Sequence, residues 1–225
     1  MSRTTTDPQR LGRATRSEQV EHTRARILAT AERLFAEHGV NSVSNRQISE
    51  AAGQGNNTAV GYHFGTKADL VRAIIRRHAG PTERLSEELL RRYGDSDDLR
   101  DWVTCIVRPF TGHLAALDPP TWYARFAAQL LTEPRLRELA SAEMHDAPAL
   151  QTVYAGLNRC LPDLPPDVRT ARAEMAHTLL VHLCAQRERI LPADPAAAAE
   201  VWSATAAGLI DAIEGLFRAP VTPAP

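Results

Sequence analysis

The chain's 225 residues and 24.7 kDa suffice for one large or two small domains, and 44% hydrophobic with 24% charged residues place it among globular rather than disordered chains. A formal net charge of −1, from 26 Lys+Arg against 27 Asp+Glu, names no polyanionic partner for the chain as a whole. Three widely spaced cysteines (Cys105, Cys160, Cys184) argue against a disulfide scaffold or a zinc cage, and the lack of a leader-like or membrane-length apolar run predicts a cytoplasmic protein with no membrane partner.

Residues 1–17 hold a single large aliphatic, Leu11, among Arg, Thr and Ser, and read as a flexible basic arm. A helix of about 20 residues is predicted next, ending at Gly39. Its Ile27, Leu28, Ala31, Leu34 and Phe35 form one apolar stripe at helical period. A second, short helix opens at Ser44, where Ser-Asn-Arg-Gln reads as a capping box, with Ile48, Ala51 and Ala52 on its inner face. Gly53-Gln54-Gly55 breaks the chain. A third short helix is expected from about Asn57 to His63, with Val60 and Phe64 as its inner edge. Thr66 to Asp69 forms a second capping signature and opens a long helix bearing Leu70, Val71, Ile74 and Ile75. Proline and glycine punctuate the rest, giving helices near 67–92, 96–117, 120–131, 134–158, 166–190 and 195–218. No strand pattern of useful length occurs. The predicted class is all-α.

Charge is unevenly placed. Residues 1–78 carry 12 basic and 7 acidic groups, whereas the remaining 147 carry 14 and 20. A basic first third on an acidic remainder suits a nucleic-acid-binding head on a different body. Two short helices joined by a glycine turn match a helix-turn-helix, whose second helix enters the DNA major groove. Such a helix needs small or polar outward groups. Asn56, Asn57, Thr58, Gly61, Tyr62 and His63 supply them, with Ser44, Asn45 and Arg46 from the preceding helix and Lys67 from the following one. Asn can pair with an adenine edge and a Thr methyl with thymine, while Tyr62, His63 and Lys67 are placed for phosphates. Arg3, Arg10, Arg13 and Arg16 on the arm suit the adjacent minor groove.

The run TRARILATAERLFAEHGVNSVSNRQISEAAG (23–53), followed by YHFGTKADL (62–70), resembles the N-terminal DNA-binding domain of the tetracycline-repressor (TetR) family. The matching positions are Ile27-Leu28, Ala31, Leu34-Phe35, Gly39, Ser44, Ile48, Ala51-Ala52-Gly53, His63-Phe64, Lys67 and Leu70. The family usually places an aromatic three residues before the phenylalanine. Gly61 stands there in this chain, Tyr62 lies one later, and Gly53 to Phe64 is one residue longer, as in a branch with an Asn-Asn-x-Ala-Val-x-Tyr-His-Phe stretch. The resemblance implies a DNA-binding domain at 18–78 and a helical ligand-binding and dimerisation domain at 79–225. The last two helices would pair with those of a second copy, which sets two recognition helices about 34–36 Å apart on a palindromic operator.

Wide apolar faces near the C-terminus fit that pairing: Leu179, Leu183 and Ile190, then Trp202, Leu209, Ile210, Ile213, Leu216 and Phe217. Trp102, Phe110, His113, Trp122, Tyr123, Phe126, Gln129, Met144 and Met175 are the candidates to line a pocket for a small-molecule effector. No nucleophile elbow, phosphate loop or metal-binding spacing occurs, so neither a catalytic residue, a metal nor a cofactor is expected. The expected function is a sequence-specific, homodimeric transcriptional repressor that a ligand releases. A helical protein-interaction module whose basic head takes an acidic partner is the alternative.

Overall fold

The computed structural model describes residues 16–56, 58–145, 147–161 and 163–222, which contain ten helices and no strand. α1 (Arg16–His38) begins inside the stretch predicted as arm. It buries Ile27, Ala31, Phe35 and Ala36, and Gly39 ends it with a φ of +87°, where a side chain is disfavoured. α2 (Asn45–Ala51) starts in the expected capping box: Ser44 Oγ accepts from Gln47 N at 3.2 Å, and Gln47 Oε1 accepts from Ser44 N at 2.8 Å.

α3 (Ala59–Phe64) starts later than predicted. Asn56 Oδ1 accepts from both Thr58 N (2.9 Å) and Thr58 Oγ1 (2.7 Å), which holds this stretch as a turn ahead of the helix. α4 (Lys67–Tyr93) is capped by Thr66 and Asp69 and runs unbroken past residue 78. Its Pro81 lacks the N–H that would bond to the carbonyl of Arg77.

α5 (Leu99–Ala115) is the central helix of the body and packs on α4 and on α10 (Pro195–Arg218). It also meets α8 (Pro148–Cys160), where Trp102 lies so close that a Cβ on Gly156 would be 2.3 Å from the indole ring. The predicted single helix at 134–158 is two, α7 (Pro134–His145) and α8, because proline at 148 starts a helix well and continues one poorly. α6 (Tyr123–Thr132) has no side-chain cap of its own. Its free N–H groups go to Glu188 near the end of α9 (Pro166–Glu188), whose carboxylate accepts from Ala124 N (3.1 Å) and Arg125 N (2.9 Å). Arg172 of α9 in turn donates to the carbonyls of Phe217 (2.9 Å) and Pro220 (3.2 Å) at the end of α10.

Two main apolar cores result. One joins α5, α8, α9 and α10 around Trp102, Trp202, Leu209 and Ile213. The other fills the head, from Ile27, Phe35, Ile48, Val60, Leu70 and Ile74, and takes in Phe126 and Leu130 of α6. α10 is long and apolar enough to cross a membrane by length and composition alone, and its apolar face is the one that packs on α5.

Candidate nucleic-acid interface

α2 and α3 are held by their inner faces and displayed by their outer ones. Ile48, Ala52, Ala59 and Val60 are buried, and Gly53 supplies the left-handed turn between the helices with a φ of +65°. Three long cations of the head then lock the motif. Arg26 donates to Ala52 O at 2.6 Å, and its guanidinium passes so near Gly53 that a Cβ there would lie 2.8 Å from Nη2. Arg24 donates to His63 O and lies 4.4 Å over the Phe64 ring. Lys67 Nζ donates to Val40 O at 3.1 Å, and partial burial holds its ammonium below the usual lysine range. Lys67, expected as a phosphate ligand, therefore also ties the start of α4 to the loop after α1.

The outward face carries the remaining predicted contacts. Tyr62 is 80% exposed, with its ring edge-on to His63 at 5.0 Å. Gly61 is exposed, and a Cβ there would meet no atom within 4 Å. Thr58, Ser44 and Arg46 are exposed as well, Arg46 in an ion pair with Glu50 at 2.8 Å. Asn45 Oδ1 is buried without a hydrogen-bond partner among the described residues. Asn56 departs from expectation, since its carbonyl oxygen is spent on the turn and only its amide N–H groups are left to read a base. Asn57, Arg3, Arg10 and Arg13 lie outside the described residues, and Arg16 is the exposed first residue of α1.

The candidate effector residues do not share one cavity. Trp102 belongs to the body core and Phe126 to the head core, while Gln129 packs near Gly39 and Met144 and Met175 are exposed at 39% and 55%. Phe110, His113 and Tyr123 do gather. Tyr123 stacks on His78 with ring centroids 3.7 Å apart, and Phe110 lies 6.0 Å from Tyr123. Sequence reasoning missed what they gather around. His78 of α4 donates from Nε2 to the buried carboxylate of Glu32 in α1 at 2.9 Å, and its Nδ1 lies 2.7 Å from His113 Nε2 in α5. Burial first, and His78 second, push the His113 imidazole down to about 4. Burial pushes the Tyr123 hydroxyl well above its ordinary value. Trp122 lies on the open side of this group, lining a recess with Glu32 and His78, and the Arg125 guanidinium sits 4.2 Å over its ring.

The apolar C-terminal faces divide in the same way. Trp202, Leu209, Ile210, Ile213 and Phe217 are sealed against α5 within the chain itself, so they have no surface to give a partner, and Leu183 and Leu216 are half-buried on the same core. Leu179 and Ile190 remain exposed, as does an outer face of α10 built from Ala204, Ala207, Gly208 and Ala212. Burial pushes the thiols of Cys105 and Cys184 up to about 11 and about 12, which suits packing rather than reactivity.

Two family descriptions match the chain: "Bacterial regulatory proteins, tetR family" over residues 27–74 and "Tetracyclin repressor-like, C-terminal domain" over residues 104–215. The transcriptional repressor AcnR of Corynebacterium efficiens is 34% identical over 88 residues, 37% of this chain and 46% of that protein. The transcriptional regulator TtgR of Pseudomonas putida is 33% identical over 89 residues, 40% of each. The chain thus spans less than half the length of the curated relatives it matches. Among solved structures, NalD, the secondary repressor of the MexAB-OprM multidrug efflux pump in Pseudomonas aeruginosa, superposes with a TM-score of 0.56 at 26% identity, over 89% of this chain and 98% of NalD.

Proposed function

We propose that this chain, which belongs to the TetR family of bacterial regulatory proteins, is a homodimeric, sequence-specific DNA-binding repressor that leaves a palindromic operator when a small molecule binds its body. The observation that carries this is the two-sided build of α2 and α3. Their apolar sides are buried in the head, and their other sides offer Tyr62, Thr58, Arg46 and a glycine with open space in front of it. A surface glycine in mid-helix costs stability and has no packing role here, which suits close approach of a base pair or phosphate. The AcnR, TtgR and NalD likenesses support the same reading.

Pairing of two copies runs through the outer faces of α9 and α10. The exposed Leu179 and Ile190 and the small outward residues of α10, with open space at Gly208 and Gly215, favour close helix-to-helix approach there. The reading includes no catalytic step and no cofactor, and its setting is the bacterial cytoplasm. A gel-shift titration with DNA from upstream of the chain's own coding region tests it. A shift that scrambled competitor does not remove, with two copies per site, is expected. A protein that binds no duplex selectively overturns the proposal and leaves the interaction-module alternative.

A further inference from the structure

Between α1, α4 and the segment joining α5 to α6 lies a recess of about 550 Å³, in the range of small-molecule sites. It lies outside the closed core between the body helices, on the seam between head and body. Its wall carries two cations and two carboxylates, Arg33, Arg77, Glu32 and Asp118. Two of these four are committed elsewhere: Arg33 to Glu37 at 3.0 Å and Glu32 to His78 at 2.9 Å. The other two are not. Arg77 comes no nearer to a carboxylate than 3.9 Å, to Glu32, beyond hydrogen-bond reach, and Asp118 has no hydrogen bond or ion pair among the described residues. The recess therefore offers one loosely held positive charge and one unpaired negative charge. Next to them stand the apolar surfaces of Leu117, Pro120 and Trp122. Thr121 in the same wall is 6% exposed, and its hydroxyl has no partner among the described residues.

We propose that this recess binds a small zwitterion with an apolar side chain, of the amino-acid type. Its carboxylate pairs with Arg77, its ammonium with Asp118, and its side chain lies against Leu117, Pro120 and Trp122. A guanidinium and a carboxylate in one cleft match a ligand of zero net charge that carries both signs, and they leave one sign unmatched in a simple acid or amine. The bound molecule would also touch Glu32 in α1 and His78 in α4, which are joined at 2.9 Å and reach on through the His78 ring to His113 of α5. In this respect the proposal names the effector class of the repressor described above.

Calorimetric titration of the full chain without DNA tests the site independently of operator binding, so a failed gel shift would not touch the result. The probes are L-phenylalanine, L-leucine and L-tryptophan, with benzoate and phenethylamine as one-charge controls. At least one amino acid is expected to bind saturably, one per chain, and at least tenfold more tightly than either control. Arg77→Gln and Asp118→Asn, both surface changes, should each weaken it at least tenfold with unchanged helical circular dichroism. Binding of none of the amino acids, equal binding of a control, or full affinity in both variants would overturn the proposal.

Discussion

Replacing Gly61 with alanine sets what the fold wants against what a DNA-reading helix wants. Gly61 is the third residue of α3, its φ is not in the left-handed region, and the added Cβ meets nothing within 4 Å. Glycine inside a helix costs about 0.5–1 kcal/mol relative to alanine. The substitution should therefore stabilise the protein, nearer the lower figure because α3 has only six residues. For a chain of this size that is a rise in Tm of roughly 1–3 °C. On DNA the sign reverses. The methyl group takes space that the α3 backbone leaves to the duplex, and a tenfold loss of operator affinity, about 1.4 kcal/mol, is the least expected. Circular dichroism melts give the first quantity, and fluorescence anisotropy on a labelled operator fragment gives the second. Undiminished operator affinity would refute the reasoning on the DNA side. A Tm lowered by several degrees would refute it on the fold side, since Gly61 would then be serving the packing.

Three further outcomes follow from contacts away from α2 and α3. His113 stays neutral in the fold down to about pH 4, whereas in the unfolded chain it takes up a proton below about 6.5. Its share of stability is thus intact above pH 6.5 and is lost as the pH falls toward 4, by up to roughly 3 kcal/mol; His113→Gln should flatten this acid limb in urea melts, and an unchanged limb would exclude it as the source. Gly156→Ala drives a methyl into the Trp102 indole and should cost about 1–3 kcal/mol, partly recovered by Trp102→Phe; an unaltered urea midpoint would contradict the 2.3 Å approach. Glu188→Ala strips α6 of its cap and leaves the half-buried Arg125 without its 3.2 Å partner, for a loss of about 3–5 kcal/mol; hydrogen exchange at Ala124 and Arg125 should quicken, and protection equal to the parent's would rule out the capping role.

Local signals are legible in the sequence, and long-range ones are not. Ser44 with Gln47 and Thr66 with Asp69 are close enough along the chain for both halves of each cap to be visible at once, and both boxes form. Gly39 and Gly53 mark left-handed turns because little else tolerates a positive φ. The cap of α6 comes from Glu188, more than sixty residues away, and no periodicity announces it. Glu32 and His78 left a fainter trace. Each sits on or next to an apolar stripe, beside Ala31 and four after Ile74, where a titratable group is out of place unless it has a buried partner. The apolar faces of the last two helices were visible, but period alone cannot tell a face that packs on α5 from one that meets another chain. The same limit scattered the effector candidates. An aromatic at helical spacing shows that it is buried and not with what, so Trp102 and Phe126 ended in different cores.

Phe126 and Leu130 also bear on whether the head is separable. They reach from α6 into the interior of a unit that the sequence would cut near residue 78, and Phe126 stacks on Phe35 with centroids 6.2 Å apart. A fragment trimmed at that point keeps every group proposed to face DNA and loses two plugs from its centre, each contributing about 1.5–3 kcal/mol by burial. Against the roughly 5–15 kcal/mol of a whole domain, that loss leaves little reserve. The head is thus stoppered by a helix of the body, and whatever displaces α6 withdraws the stopper.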